Sequence, residues 1–282
     1  MTGIAREPPA LSGNTLILSV MPSLALTRYI LHRIRSRSKY DLHSPFVYKI
    51  YREILKDRTR YPEYEKIERL RKKLLQDPGF IRMTDFGTRA PEIAWCRNTV
   101  PVRRIVRTSS VNRKYGRLLF RLSRSLKPAS ILELGTSLGI STAYLAAGSP
   151  ESMVTSIEGC EETAARARQN MAAWELPHVR IITAPFDEVL SYLLPEIGVV
   201  DLAFFDGNHR KEATLRYFQQ CVSFIHDDSV FIFDDIHWSD EMEKAWEEIR
   251  EHPSVKVSLD LFRMGMVFFR EGLSKEDFIL HF

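Results

Sequence analysis

Short apolar runs recur from residue 131 to the end of the chain, separated by longer stretches of mixed polarity. The runs at 131–134, 153–157, 179–183, 199–205 and 229–233 predict strands, and the segments between them predict helices or loops. Two further runs, Val255–Leu259 and Met266–Phe269, leave no room for a helix between them and predict a closing hairpin. Five strand–helix units ending in a hairpin imply an α/β fold. Its sheet is mostly parallel with one antiparallel strand, and helices cover both faces. Met264, Met266, Phe268 and Phe269 belong to the core of that sheet.

Upstream the period changes from two to nearly four. Residues 26–77 read as helical: Ser44-Pro45 opens Phe46–Leu55 as an N-cap with proline behind it, and Pro62 opens a helix with Ile67, Leu70 and Leu74 on one face. Residues 78–110 read as a linker or lid, and 1–25 as a poorly ordered tail. A helix runs from Asn112 to Leu126, with Leu118, Leu119 and Leu122 on one stripe and Arg113, Arg117, Arg121 and Arg124 on another. Water is the expected neighbour of the arginines, a substrate anion the alternative. These readings divide the chain into a tail (1–25), a basic helical extension (26–111) and a main domain (112–282).

The first predicted strand leads into Glu133-Leu-Gly135-Thr136-Ser137-Leu-Gly139-Ile-Ser141. A glycine turn between a buried strand and a helix N-terminus brings backbone N–H groups close to a nucleotide-like ligand. The spacing E-x-G-x-x-x-G departs from both G-x-G-x-x-G and the G-K-[ST] ending of a phosphate-binding loop. It resembles motif I of class I S-adenosylmethionine (SAM) methyltransferases. That resemblance implies a Rossmann-like, seven-stranded sheet and a cofactor held by Glu133, Gly135, Thr136, Ser137, Gly139, Ser141, Glu158, Gly159, Phe186 and Asp206. Glu158 ends the second strand, where a carboxylate can accept both ribose hydroxyls; its structural alternative is an N-cap. The adenine is expected near 184–187.

Charge is divided unevenly. Residues 1–126 hold 27 Lys and Arg against 10 Asp and Glu, an excess of 17 positive charges. The remainder holds 13 against 26, which brings the chain to its net +4. The basic half either meets an anion outside the chain or docks on the acidic half. Three cysteines without C-x-x-C pairing suit a reducing, cytoplasmic setting and no structural zinc. No apolar run reaches the roughly 18–20 residues of a membrane span. Residues 16–26 are interrupted by Ser19 and Pro22 and do not form a convincing signal peptide; Met21 is an alternative start.

The fourth and fifth strands end in Asp206-Gly-Asn-His209 and Asp234-Asp235-Ile-His237. Three carboxylates at neighbouring strand ends repel unless a cation lies between them, and oxygen ligands suit a hard ion such as Mg²⁺. The structural alternative for Asp234 and Asp235 is helix capping. The constellation resembles the metal-dependent O-methyltransferases of the catechol and macrolide-sugar types over roughly residues 112–270. The resemblance assigns Asp206, Asp234 and Asp235 to the metal. Where the catechol branch has a lysine, this chain has His209, as the sugar-methylating branch does, which implies an imidazole base. His237 is a weaker base candidate that could instead orient a carboxylate. The expected reaction is O-methylation of a small or sugar-containing hydroxyl compound. An RNA 2′-hydroxyl bound through the basic half is the enzymatic alternative, and a non-catalytic SAM-binding module the other.

Overall fold

The computed structural model describes residues 26–36, 42–83 and 98–282. The expectation of a disordered 1–25 lies outside them. Eight strands form the central sheet: β3 (Ser130–Leu134), β4 (Met153–Glu158), β5 (Val179–Thr183), β6 (Leu202–Phe205), β7 (Val230–Phe233), β8 (Val257–Asp260), β9 (Gly265–Phe268) and β10 (Glu276–Ile279). Their order is β10-β8-β9-β7-β6-β3-β4-β5. Only β9 runs against its neighbours, pairing antiparallel with β7 and β8. The expected seven strands become eight because β10 joins the edge parallel to β8. Its sequence, Glu276-Asp277 followed by Phe278-Ile279, lacks the continuous apolar run of an interior strand.

The strands are apolar because both faces are covered, and their side chains alternate between two cores. On β7, Val230 and Ile232 join one core while Phe231 and Phe233 join the other. The second core is closed by α8 (Phe186–Ile197), α9 (Lys211–Cys221) and α10 (Asp240–Glu251) through Leu190, Phe218 and Trp246. The first is closed by α2 (Pro45–Ile50), α3 (Pro62–Gln76), α4 (Val102–Thr108), α5 (Arg113–Leu126), α6 (Ile140–Gly148) and α7 (Glu161–Ala172). The basic N-terminal segment thus packs into the same core as the sheet, through Ile67, Leu74 and Ile105 among others. Burying each such aliphatic side chain contributes roughly 1.5–3 kcal/mol.

Two sequence-based boundaries shift. Helix α2 passes at Tyr51 into a π-turn over Tyr51–Leu55, closed by Lys56 N–H donating to the Tyr51 carbonyl at 2.9 Å. The 78–110 segment, expected to be a linker, contributes the antiparallel pair β1 (Phe80–Met83) and β2 (Asn98–Pro101) and then α4. Residues 26–35 form α1.

Asn112 caps α5, accepting from Tyr115 N–H at 3.1 Å. Helices α5 and α6 meet where Gly116 faces the Tyr144 ring. A Cβ built at Gly116 would lie 2.3 Å from a ring carbon of that fully buried tyrosine. We predict that Gly116→Ala lowers stability by about 1–3 kcal/mol through overpacking, despite the better helix propensity of alanine. Urea denaturation checks this, and an unchanged or raised midpoint contradicts the contact.

Candidate active site

Strand order reverses at β3, which pairs β4 on one side and β6 on the other. Ligands of open parallel sheets settle at the carboxyl ends of strands beside such a reversal. The turn after β3 and the turn after β6 are packed so closely there that a Cβ on Gly135 would meet the Asp206 carbonyl oxygen at 2.1 Å. Gly135 also has φ +109, which side-chain-bearing residues rarely adopt. Its N–H and that of Thr136 donate to the Ile157 carbonyl, at 3.0 and 3.2 Å, tying the turn to β4.

Glu133 is fully buried beneath this turn. Its Oε2 accepts from Ser156 at 2.6 Å and from Thr142, while Oε1 has no hydrogen-bond partner. Burial pushes its pKa up, against hydrogen bonds from Ser141, Ser156 and Thr142. Thr136 is turned inward onto Ser156, so its side chain supports the loop from beneath. Gly139 stands at the N-cap of α6, and Ser141 is buried in that helix's first turn. Glu158 accepts from Ser137 N–H at 2.8 Å and Cys160 N–H at 3.0 Å. It therefore lies against the glycine turn, with its pKa raised by burial in spite of those backbone donors and that of Gly159. Phe186 packs over Gly207 and edge-on to Tyr217 at 5.4 Å, which brings the 184–187 segment beside the β6 turn.

Asp206, Asp234 and Asp235 do gather at the ends of β6 and β7. Burial above all, then repulsion from Asp234 and Asp235, raises the pKa of Asp206 well above the carboxylate range; Arg263 opposes the shift. Asp235 is likewise pushed up by burial and by Asp234, against Arg263 and His209. His209 Nε2 lies 3.7 Å from Asp206 Oδ1. From the sequence these three acids were expected to hold a metal. Among the described residues no group of three His, Cys, Asp or Glu side chains is placed to hold one.

The reason is Arg263, in the turn between β8 and β9. Its Nε lies 3.1 Å from Asp234 Oδ1 and 3.4 Å from Asp235 Oδ1, and its Nη2 donates to Asp234 Oδ2 at 2.9 Å. The Asp234 side chain is wholly excluded from solvent, so both its oxygens are committed to this guanidinium. The pairing raises the arginine pKa against the opposing effect of burial. The backbone fixes Arg263 in turn: its carbonyl accepts from Ile236 N–H, and the neighbouring Leu261 carbonyl accepts from Tyr115 Oη at 2.7 Å. The sequence reading missed this residue. The signal lay in the predicted hairpin, since β9 pairs with β7 at Phe233↔Gly265 and so returns the turn to Asp234.

Non-glycine residues in the left-handed region follow β3, β6, β7 and β8: Ser137, Asn208, Asp235 and Phe262. Such turns cost about 1 kcal/mol or more each and persist where surrounding contacts over-determine them. His237, a candidate base in the sequence, is engaged on both sides: Nδ1 is 2.9 Å from Glu243 and Nε2 is 2.8 Å from Asp260. It stacks on Phe262 at 5.4 Å. Asp260 also meets His32 of α1 at 2.9 Å, and Arg28 of α1 lies 3.0 Å from Glu243. This network fastens α1 beside the strand ends.

The family model described as "Methyltransferase domain" matches residues 132–236, which span the glycine turn, Glu158, Asp206 and Asp234–Asp235. Over residues 132–236 the chain is thus similar to methyltransferase domains. Over 129 residues the chain is 29% identical to a catechol O-methyltransferase of Mycobacterium tuberculosis (strain ATCC 25618 / H37Rv), covering 45% of this chain. It spans 57% of that relative, a little over half its length. The methyltransferase fold extends further. An O-methyltransferase from Bacillus cereus in complex with SAH matches with a TM-score of 0.54 at 19% identity, over 78% of this chain and 94% of its own. TomG from Streptomyces achromogenes, an O-methyltransferase in complex with SAM, matches at 0.53 and 17% identity, over 75% and 91%. Among the described residues no helix is long and apolar enough to cross a membrane.

The His237–Asp260 contact has a pH signature. Hydrogen bonds and charge from Asp260 and Glu243 raise the His237 pKa above 6.5, outweighing burial. Its contribution to stability is therefore complete below that value and lost as pH rises through the raised pKa. Asp260 is held well below 3.8 because its two histidine partners outweigh burial, so its contribution is lost only in strong acid. We predict that His237→Gln destabilises the protein more at pH 6 than at pH 9, as measured by denaturant midpoints. An equal loss at both values contradicts the assignment.

Proposed function

We propose that the chain transfers the methyl group of SAM to a hydroxyl oxygen of a small molecule, sugar-containing compounds included, with His209 as the base. The observation that carries this reading is the meeting of the Gly135 turn with Asp206 and His209 at one point of the sheet. The cofactor pocket fits SAM on the chemistry of its residues. Glu133 offers a buried oxygen without a partner, suited to a cationic amino group, and Glu158 lies where a ribose diol would reach it. When bound, the cofactor supplies an electrophilic methyl group on a sulfonium.

The remaining chemistry falls to side chains. Displacement in line from sulfonium to oxygen depends on holding the two reactants together and on removing the hydroxyl proton. Imidazole is suited to that proton near neutral pH. His209 Nε2 stands 3.7 Å from Asp206 Oδ1, which places the imidazole beside the acid at the end of β6. The donor set does not fit Mg²⁺, because Asp234 is occupied by a guanidinium. In our reading Arg263 supplies the cation that the acids require, and no step passes through a metal.

Calorimetric titration with S-adenosylhomocysteine is expected to give micromolar binding, and no binding removes the cofactor assignment. His209→Ala should lower kcat by about 10²–10⁴-fold on a hydroxylated acceptor, with S-adenosylhomocysteine affinity retained. Activity equal to the parent removes the histidine from the mechanism. Turnover is expected to survive EDTA, and Mn²⁺ binding, followed by electron paramagnetic resonance, should be absent in the parent and appear in Arg263→Met. Activity lost to EDTA and restored by Mg²⁺ overturns the role given to Arg263.

A further inference from the structure

The excess positive charge of the N-terminal half is only partly absorbed by the rest of the chain. Arg28 reaches Asp240 and Glu243 on α10 and Arg82 reaches Glu162 on α7, while Arg113 at the start of α5 meets Glu68 of α3 within the N-terminal half itself. The arginines further along α5 have no such partner. Among the described residues no carboxylate pairs with Arg58, Arg60, Arg117 or Arg121, and these four line one cleft of about 550 Å³ between the 57–61 segment, α3 and α5. Tyr61 and Tyr64 form its aromatic wall.

The cleft is built in detail. The Arg117 guanidinium lies over the Tyr64 ring at 4.9 Å, and just beyond it Arg124 lies over Tyr61 at 4.9 Å. Such stacking fixes the plane of a guanidinium and leaves its N–H edge free to donate. Arg121 donates from Nη1 to the Asp57 carbonyl at 3.0 Å, while its Nε is buried with no hydrogen-bond partner. The Tyr64 hydroxyl is also buried without one. Burial pushes the Arg121 pKa down against the attraction of Tyr64 and Asp57, so this cation sits in a poorly solvated position.

The acids of the cleft do not fill it. The Asp57 carboxylate is taken up by its own segment, accepting from Thr59 N–H at 2.7 Å and Tyr61 Oη at 3.0 Å. Glu65 is exposed.

We propose that this cleft binds a phosphoryl group. Several guanidinium forks converge from two sides on one space, more donors than the two oxygens of a carboxylate can satisfy. A phosphate ester presents up to three acceptor oxygens in a tetrahedral array and matches guanidinium edges bidentately. The phosphate belongs to a small phosphorylated ligand or to a nucleic-acid backbone. The inference does not depend on the proposed methyl transfer.

Isothermal titration at low ionic strength with inorganic phosphate, pyrophosphate and a short single-stranded RNA provides the test. Pyrophosphate is expected to bind saturably. The double variant Arg58→Ala/Arg60→Ala should weaken it at least tenfold; both residues are exposed, so the fold is retained. Arg121→Lys, which keeps the charge and loses the fork, should weaken it as well. RNA binding much tighter than pyrophosphate, with affinity falling steeply as salt rises, assigns the phosphate to nucleic acid. Pyrophosphate binding as tight as RNA or tighter assigns it to a small ester. The site is overturned if no probe saturates, or if binding is indifferent to both variants.

Discussion

Carboxylates concentrated at one end of a parallel sheet are the constraint around which this molecule is arranged. Glu133, Glu158, Asp206, Asp234 and Asp235 all stand at or beside the carboxyl ends of β3, β4, β6 and β7, and burial opposes the ionisation of most of them. Removing charged groups from water is expensive unless each finds a partner. Hydroxyls and backbone N–H groups serve Glu133 and Glu158, and a guanidinium serves Asp234 and Asp235. Asp206 is the least compensated, and it is the one beside His209.

The covering of the sheet follows from the same constraint. Tyr115 on α5 holds the Leu261 carbonyl, and Ile236 holds that of Arg263, so the turn carrying the compensating cation is braced from the N-terminal layer and from the strand it serves. A helix that appears in sequence to be only amphipathic is therefore part of the site's support. Acidic α10 serves the outer network similarly: its Glu243 lies between His237 and Arg28.

Much of this architecture was legible in the sequence because interior parallel strands must be apolar on both faces, and the runs at β3, β6 and β7 are. The glycine turn was legible for a steric reason, since Gly135 has neither the space nor the backbone angle for a side chain. Strand β10 was hidden because an edge strand tolerates Glu276 and Asp277. The pair β1–β2 was hidden because four-residue strands carry too little periodicity. The three acids were legible as a cluster in need of compensating charge. Hydropathy could not distinguish a bound ion from Arg263, because a guanidinium 29 residues downstream of Asp234 meets it only once β7 and β9 are in register. The arginine stripe on α5 was visible, but its stacking on Tyr61 and Tyr64 depends on how α3 packs.

The fastening of α1 also bears on the order of synthesis. Arg28 meets Asp240 across 212 residues, His32 meets Asp260 across 228, and Arg33 meets His281 across 248. At translation rates of about 5–20 residues per second, α1 waits roughly 10–50 s for its partners to leave the ribosome. Throughout that interval Leu26, Ile30 and Ile34, exposed even in the finished fold, stand on a short basic helix with nothing to hold it. The strand-end site is thus closed on this side only after Asp260 and His281 have been made.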